Sequence, residues 1–226
     1  MKRTLQFFWQ MIQRELKIQQ RQRKVLFNAM LLFVMIVAFF PLTLPADNTL
    51  LRHVFPGLIW IALLFLLLLS SEWLFQQEIE SGVMEQWLIG AYPIHWVLRA
   101  KLLVIWCCQM LLVGIVSPLL MVMFNLSLEE YGILLLSIVL GTPTLLMLNA
   151  LASSFSSGIQ QKGVFMALIL LPLSLPVMIL GSGVLLHAMQ DFPVYGEMAL
   201  LLAMSVLSVF FLPWVMGVAL QTSSNG

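Results

Sequence analysis

Residues 54–90 read VFPGLIWIALLFLLLLSSEWLFQQEIESGVMEQWLIG. The first part, through Phe75, is an apolar run long enough to cross roughly 30 Å of hydrocarbon as an α-helix. Beyond Phe75 the character of the chain changes. Ile79, Val83 and Trp87 recur at i, i+4 and i+8, with Met84 and Leu88 beside them. Glu78, Glu80 and Glu85 fall on the other faces, and Gly90 and Pro93 close the segment. That pattern predicts a short amphipathic helix over about 76–92. A membrane span leading directly into such a helix points to an all-α integral membrane protein.

The rest of the chain agrees. It has 226 residues, 61% hydrophobic and 9% charged, with a mean hydropathy of +1.00. Soluble domains run at about 45–50% apolar and about 25% charged, so a soluble globular fold is excluded. Further apolar runs at 25–44, 98–124, 131–155, 163–189 and 196–220 bring the expected spans to six, within 25–220. The pieces left over are too short for a second domain of roughly 100–150 residues. Chemistry that needs water is therefore expected from other chains. In residues 1–24, Leu5, Phe8, Trp9, Ile12 and Leu16 form a helical stripe, with Arg3, Arg14, Lys17 and Arg21 off it. This predicts a helix lying in the membrane interface. It has no clear cleavage site and is expected to be retained. Residues 221–226 read as a frayed polar tail.

The net charge of +1 hides an asymmetry. Of the 11 Lys and Arg, ten fall in the N-terminal segment and the second and fourth connections; Arg52 alone falls on the other side. The positive-inside rule then puts both termini in the cytoplasm, with 76–92 on the same side. Glu129, Glu130, Asp191 and Glu197 fall in outer loops and read as solvated. Cys107 and Cys108 read as small buried hydrophobes. His53, His95 and His187 are scattered and predict no metal cluster; His53 and His187, near the outer face, read chiefly as interfacial non-ligands. The chain lacks a phosphate-binding loop, H-E-x-x-H and G-x-S-x-G, so it is read as a non-enzyme, with no nucleic-acid partner expected.

Two readings compete for 76–92: a helix resting on the membrane, or one docking into a groove on a soluble protein. Surface-binding helices favour Lys and Arg on the polar face, whereas this one is acidic, which favours docking. Glu72, at the cytoplasmic end of the second span, is open to a structural or a mechanistic role. Pro118, Pro143, Pro172, Pro176 and Pro213 lie inside apolar runs. They are either ordinary kinks or bending points of a bundle that moves.

Several stretches carry a family resemblance: Pro56-Gly57-Leu58-Ile59-Trp60; Glu72-Trp73-Leu74-Phe75 leading to Ser81-Gly82-Val83-Met84-Glu85-Gln86; Leu140-Gly141-Thr142-Pro143-Thr144-Leu145; and Gly163 followed by Leu170-Leu171-Pro172-Leu173-Ser174-Leu175-Pro176. In this order and in these spans, the chain resembles the permease subunits of type 2 ABC exporters, and most closely the haem exporter protein B (CcmB) family of the cytochrome c maturation system. It departs from the family at Gln76-Gln77-Glu78, where relatives carry more Asp and an Arg. It departs again at Gln161-Lys162-Gly163, where an Arg and a Gly pair are common.

The resemblance implies a permease dimer in a bacterial inner membrane, with a separate ABC ATPase subunit that binds ATP and other membrane subunits that handle haem. Either haem is exported, or ATP hydrolysis drives release of a haem-loaded periplasmic chaperone. A non-transporting mechanical coupler and a permease for lipid or polysaccharide are the alternatives. ATPase docking is expected at Glu78, Ile79, Glu80, Val83, Met84, Glu85, Trp87 and Leu88, with Gln161 and Lys162 as a second contact. Ile79, Val83 and Trp87 are the expected apolar anchors, and Glu78 and Glu85 are expected to meet basic groups. Glu72, Pro143, Pro172 and Pro176 are candidates for transmission or gating, and His53 and His187 for contact with haem. No cofactor or metal is expected to be bound by the chain itself, haem being a possible substrate.

Overall fold

A computed structural model describes residues 2–21, 23–43, 48–71, 74–75, 78, 81–83, 87, 94–155 and 162–224. They form seven long helices: α1 (Lys2–Arg21), α2 (Arg23–Thr43), α3 (Asn48–Ser71), α4 (Ile94–Met123), α5 (Leu128–Phe155), α6 (Lys162–Ala188) and α7 (Tyr195–Ser224). Helices α2 to α7 supply six segments long and apolar enough to cross a membrane. The longest, α4 and α7, have 30 residues, about 45 Å at 1.5 Å per residue. The outward faces of α2, α4 and α7 carry Phe27, Leu42, Leu111, Ile115, Val122 and Phe210, all exposed. Such a surface is at home in lipid rather than water. The chain is a multi-pass membrane protein, as its composition predicts.

One helix starts earlier than its apolar run suggests: α3 opens at Asn48 rather than 54. Near hydrocarbon the backbone satisfies itself best by staying helical, so the helix continues through the polar residues at the interface.

α5 is the centre of the bundle. It packs along α6 and α7 and also touches α3 and α4, while α2 lies on α3 and α1 on α4. The tightest fit is made by Trp60 of α3, which is fully buried. A Cβ at Gly141 of α5 or at Gly181 of α6 would run into its indole. The two glycines thus form the notch that lets three helices close around one large side chain. Small residues at helix interfaces serve this purpose in membranes. Hydrogen bonds reinforce the packing: Trp106 Nε1 donates to Thr142 Oγ1 at 2.9 Å, and Gln109 Nε2 to Ser70 Oγ at 2.6 Å. Pro143, Pro172 and Pro176 lie inside α5 and α6.

The end of the bundle where α5 begins differs from expectation at Glu130. This residue is 9% exposed rather than solvated. Ser127 caps α5: the Glu130 backbone N–H donates to Ser127 Oγ at 3.2 Å, and the Ser127 N–H donates to Glu130 Oε2 at 2.7 Å. This is a reciprocal capping box. The other Glu130 oxygen accepts from Arg52. The cysteines differ too: Cys107 is exposed and Cys108 only half-buried.

Candidate functional site

The described part of 76–92 is not one continuous helix. Glu78, Val83 and Trp87 have helical backbone, but Ser81 and Gly82 form a turn between them. Gly82 has φ +70°, the left-handed conformation that glycine adopts without strain at helix ends. The expected single amphipathic helix is therefore broken at Gly82. Val83 and Trp87, four residues apart, both have helical backbone. Glu78 belongs to the piece before the break.

Glu78 points inward. It is 2% exposed and accepts a hydrogen bond from the Nζ of Lys101 on α4. Glu15 of α1 reaches the same ammonium at 3.7 Å. Lys101 is 5% and Glu15 3% exposed, so three ionisable groups from three parts of the chain meet out of solvent. The ring of Phe75 lies 5.9 Å from Lys101 Nζ, and Gln19 Nε2 donates to Glu15 at 3.4 Å. Burial pushes the Glu15 carboxyl above its ordinary value, and the charge of Glu78 pushes it the same way. Lys101, the Gln19 hydrogen bond and Arg14 pull it back. One cation serves two carboxylates, which ties proton uptake at Glu15 to the ion pair of Glu78.

Trp87 also turns toward its own chain. It is 9% exposed, and the Arg14 guanidinium sits 5.3 Å from its ring centroid, within cation–π range. Val83 is half-buried against the core. α1 thus meets the segment through Arg14 and meets α4 through Glu15. Its Trp9 and Leu16 are exposed.

Within the chain, Glu78 is paired with Lys101, and the Trp87 ring lies against Arg14 of α1. An amphipathic pattern says that one face is buried, but not in which body. Ser81 is exposed and Val83 partly so. Glu72, Ile79, Glu80, Met84, Glu85, Leu88 and Gln161 lie outside the described residues, as does the Lys162 side chain. The sequence does not single out Arg14, Glu15 and Lys101 as a group. Glu15, an acid on the i, i+4 line of Met11 and Gln19 beside the apolar stripe, is the one signal that could have marked them.

The remaining candidates lie elsewhere. His187, at the end of α6, has Nδ1 2.8 Å from Oε1 of Glu197 on α7, so Glu197 is a partner rather than a solvated loop charge. The ring of Phe192 stands edge-on to the same imidazole at 6.2 Å. His53 is exposed on the first turns of α3. Among the described residues no group of three His, Cys, Asp or Glu could hold a metal ion.

Comparison with known proteins gives a consistent result. A family model described as "CcmB protein" matches residues 6–223. The protein named heme exporter protein B in Pseudomonas aeruginosa is 35% identical over 213 residues, which cover 94% of this chain and 96% of the relative. The proteins of that name in Haemophilus influenzae and Escherichia coli K12 are 33% and 30% identical over 216 residues, covering 96% of this chain and 98% of each relative.

Proposed function

Because the chain belongs to the CcmB protein family, we propose that it is the permease subunit of an ABC exporter for haem in cytochrome c maturation. In this reading a separate ATPase subunit binds and hydrolyses ATP. It docks around the 76–92 segment, which lies in the cytoplasm with both termini, and the membrane is the bacterial inner membrane. The ATPase meets the exposed side of the turn at Ser81 and Gly82. The observation that carries this reading is the bridge from the segment to the bundle: Glu78 to Lys101, Lys101 to Glu15, and Trp87 under Arg14. Motion of the segment is passed directly to α4 and α1.

The experiment is co-purification of the ATPase with two kinds of variant. Val83→Asp places a charge at the half-buried edge and should release the ATPase while the permease still folds. The triple variant Glu15→Gln, Glu78→Gln, Lys101→Met should leave the ATPase bound but lower cytochrome c production. Wild-type ATPase retention and cytochrome c levels in both variants would remove the docking assignment.

A second reading is favoured by Trp60, which fills the space between α3, α5 and α6. Here the chain couples ATP hydrolysis mechanically to release of a haem-loaded chaperone and conducts nothing. ATP-driven haem uptake by inside-out vesicles holding only the permease and its ATPase would exclude this reading.

A further inference from the structure

A cleft of about 500 Å³ opens between α4, α5 and α7, lined by Arg99, Leu103, Trp106, Pro143, Leu146 and Phe210 among others. Pro143 lies in its wall and cannot donate to the carbonyl of Val139. From Arg99 to Trp106 the cleft follows α4 for about 10 Å. Leu103 and Phe210 are 46% and 65% exposed, so the cleft opens sideways to the lipid.

Among the described residues, Arg99 is the one charged group in this apolar lining, and it sits at the end of α4 nearest α1. Its guanidinium donates to the carbonyl of Phe210 at 2.8 Å. It is also flanked by the rings of Trp96 at 5.2 Å and Phe210 at 5.5 Å. These contacts hold the planar group in place. They do not neutralise it, and its Nε is buried with no hydrogen-bond partner among the described residues. A cation held in place beside a lipid-facing apolar slot suits an acyl chain carrying an anionic headgroup. Basic pockets between membrane helices select acidic lipid headgroups in this way, and guanidinium suits phosphate.

We propose that the α4–α5–α7 cleft is a binding site for an anionic phospholipid, with one acyl chain between Leu103 and Phe210 and the phosphate on Arg99. The lipid would wedge α4 and α7 apart where Pro143 weakens α5, so its occupancy bears on how freely α4 moves. The site is independent of the docking segment, and its test requires no ATPase.

The test is native mass spectrometry of the full-length chain in detergent, titrated with phosphatidylglycerol or, separately, phosphatidylethanolamine. The wild type is expected to retain one phosphatidylglycerol about fivefold more readily than Arg99→Gln does, the weight of one basic residue at an anionic headgroup. Phosphatidylethanolamine should not distinguish the two. Arg99→Lys keeps the charge and should keep most of the preference. Leu103→Trp fills the slot and should lower binding of both lipids, so the test survives if Arg99→Gln misfolds. Equal phosphatidylglycerol retention in wild type, Arg99→Gln and Leu103→Trp would overturn the proposal. Displacement of the lipid by equimolar haemin would assign the cleft to haem. Loss of self-association in Leu103→Trp with lipid retention unchanged would assign it to a second copy of the chain. Either result would overturn the proposal as well.

Discussion

Replacing Lys101 with methionine isolates the buried charge cluster. The substitution keeps the length of the side chain and removes the ammonium. In the wild type that ammonium is 5% exposed and faces Glu78 and Glu15, which are 2% and 3% exposed. Without it, two carboxylates are left out of water with no cation between them. Breaking a buried pair in this way costs about 3–5 kcal/mol, a large part of the roughly 5–15 kcal/mol that holds an ordinary domain folded. Equilibrium unfolding in mixed micelles with increasing SDS, followed by tryptophan fluorescence, reads the loss. A shared cation also requires strong non-additivity. The triple variant Glu15→Gln, Glu78→Gln, Lys101→Met removes all three charges and should return to within about 1 kcal/mol of the wild type, because replacing a buried ion cluster outright is close to neutral. A Lys101→Met protein within about 0.5 kcal/mol of wild type, the range of ordinary surface changes, would refute the cluster. So would a triple variant less stable than Lys101→Met.

The packing and the capping contacts carry three further expected outcomes. Gly181→Ala should destabilise the bundle by about 1–3 kcal/mol through overpacking against Trp60, with partial recovery on adding Trp60→Phe; mixed-micelle unfolding reads both. Ser127→Ala removes the cap of α5 and should cost about 1 kcal/mol, while Glu130→Ala, which also releases Arg52, should cost more. Stability should depend on pH through Glu15, whose folded value is raised above 4.5, chiefly by burial. Below 4.5 both folded and unfolded states hold the proton and no penalty exists; it grows as pH rises toward the folded value and is full above it. Unfolding curves across that window should flatten in Glu15→Gln, and an unchanged slope would contradict the assignment.

The spans are legible in the sequence because hydrocarbon admits few alternatives: an apolar run of span length must be a helix. Their ends are less so, since Asn48 and Arg52 look like loop residues until the pair with Glu130 is seen. The 76–92 segment is legible as amphipathic, but its break is not. Gly82 lies inside the run without breaking the period of Ile79, Val83 and Trp87, yet its backbone turns the chain there. The partner of the apolar face is also hidden. Periodicity places Val83 and Trp87 on one side without saying that Arg14 covers Trp87. Lys101 reads as one more cytoplasmic basic residue. Its partners lie 23 residues away at Glu78 and farther at Glu15, a separation that no local pattern reports. The Trp60 notch lies in plain sight as Gly141 and Gly181. Only the packing of three helices gives those glycines a reason.

Engagement of an ATPase subunit by the segment around residue 82 is tested most directly by site-specific crosslinking. In a Cys107→Ala, Cys108→Ala background, Ser81→Cys places a thiol on the exposed turn, and Tyr195→Cys places one at the exposed opposite end, at the start of α7. With the ATPase present, a short reagent that alkylates the thiol at one end and carries a photoreactive group at the other should join Ser81→Cys to the ATPase and should leave Tyr195→Cys uncoupled. Crosslinking at Tyr195→Cys, or none at Ser81→Cys in an assembled complex, would contradict docking at this segment.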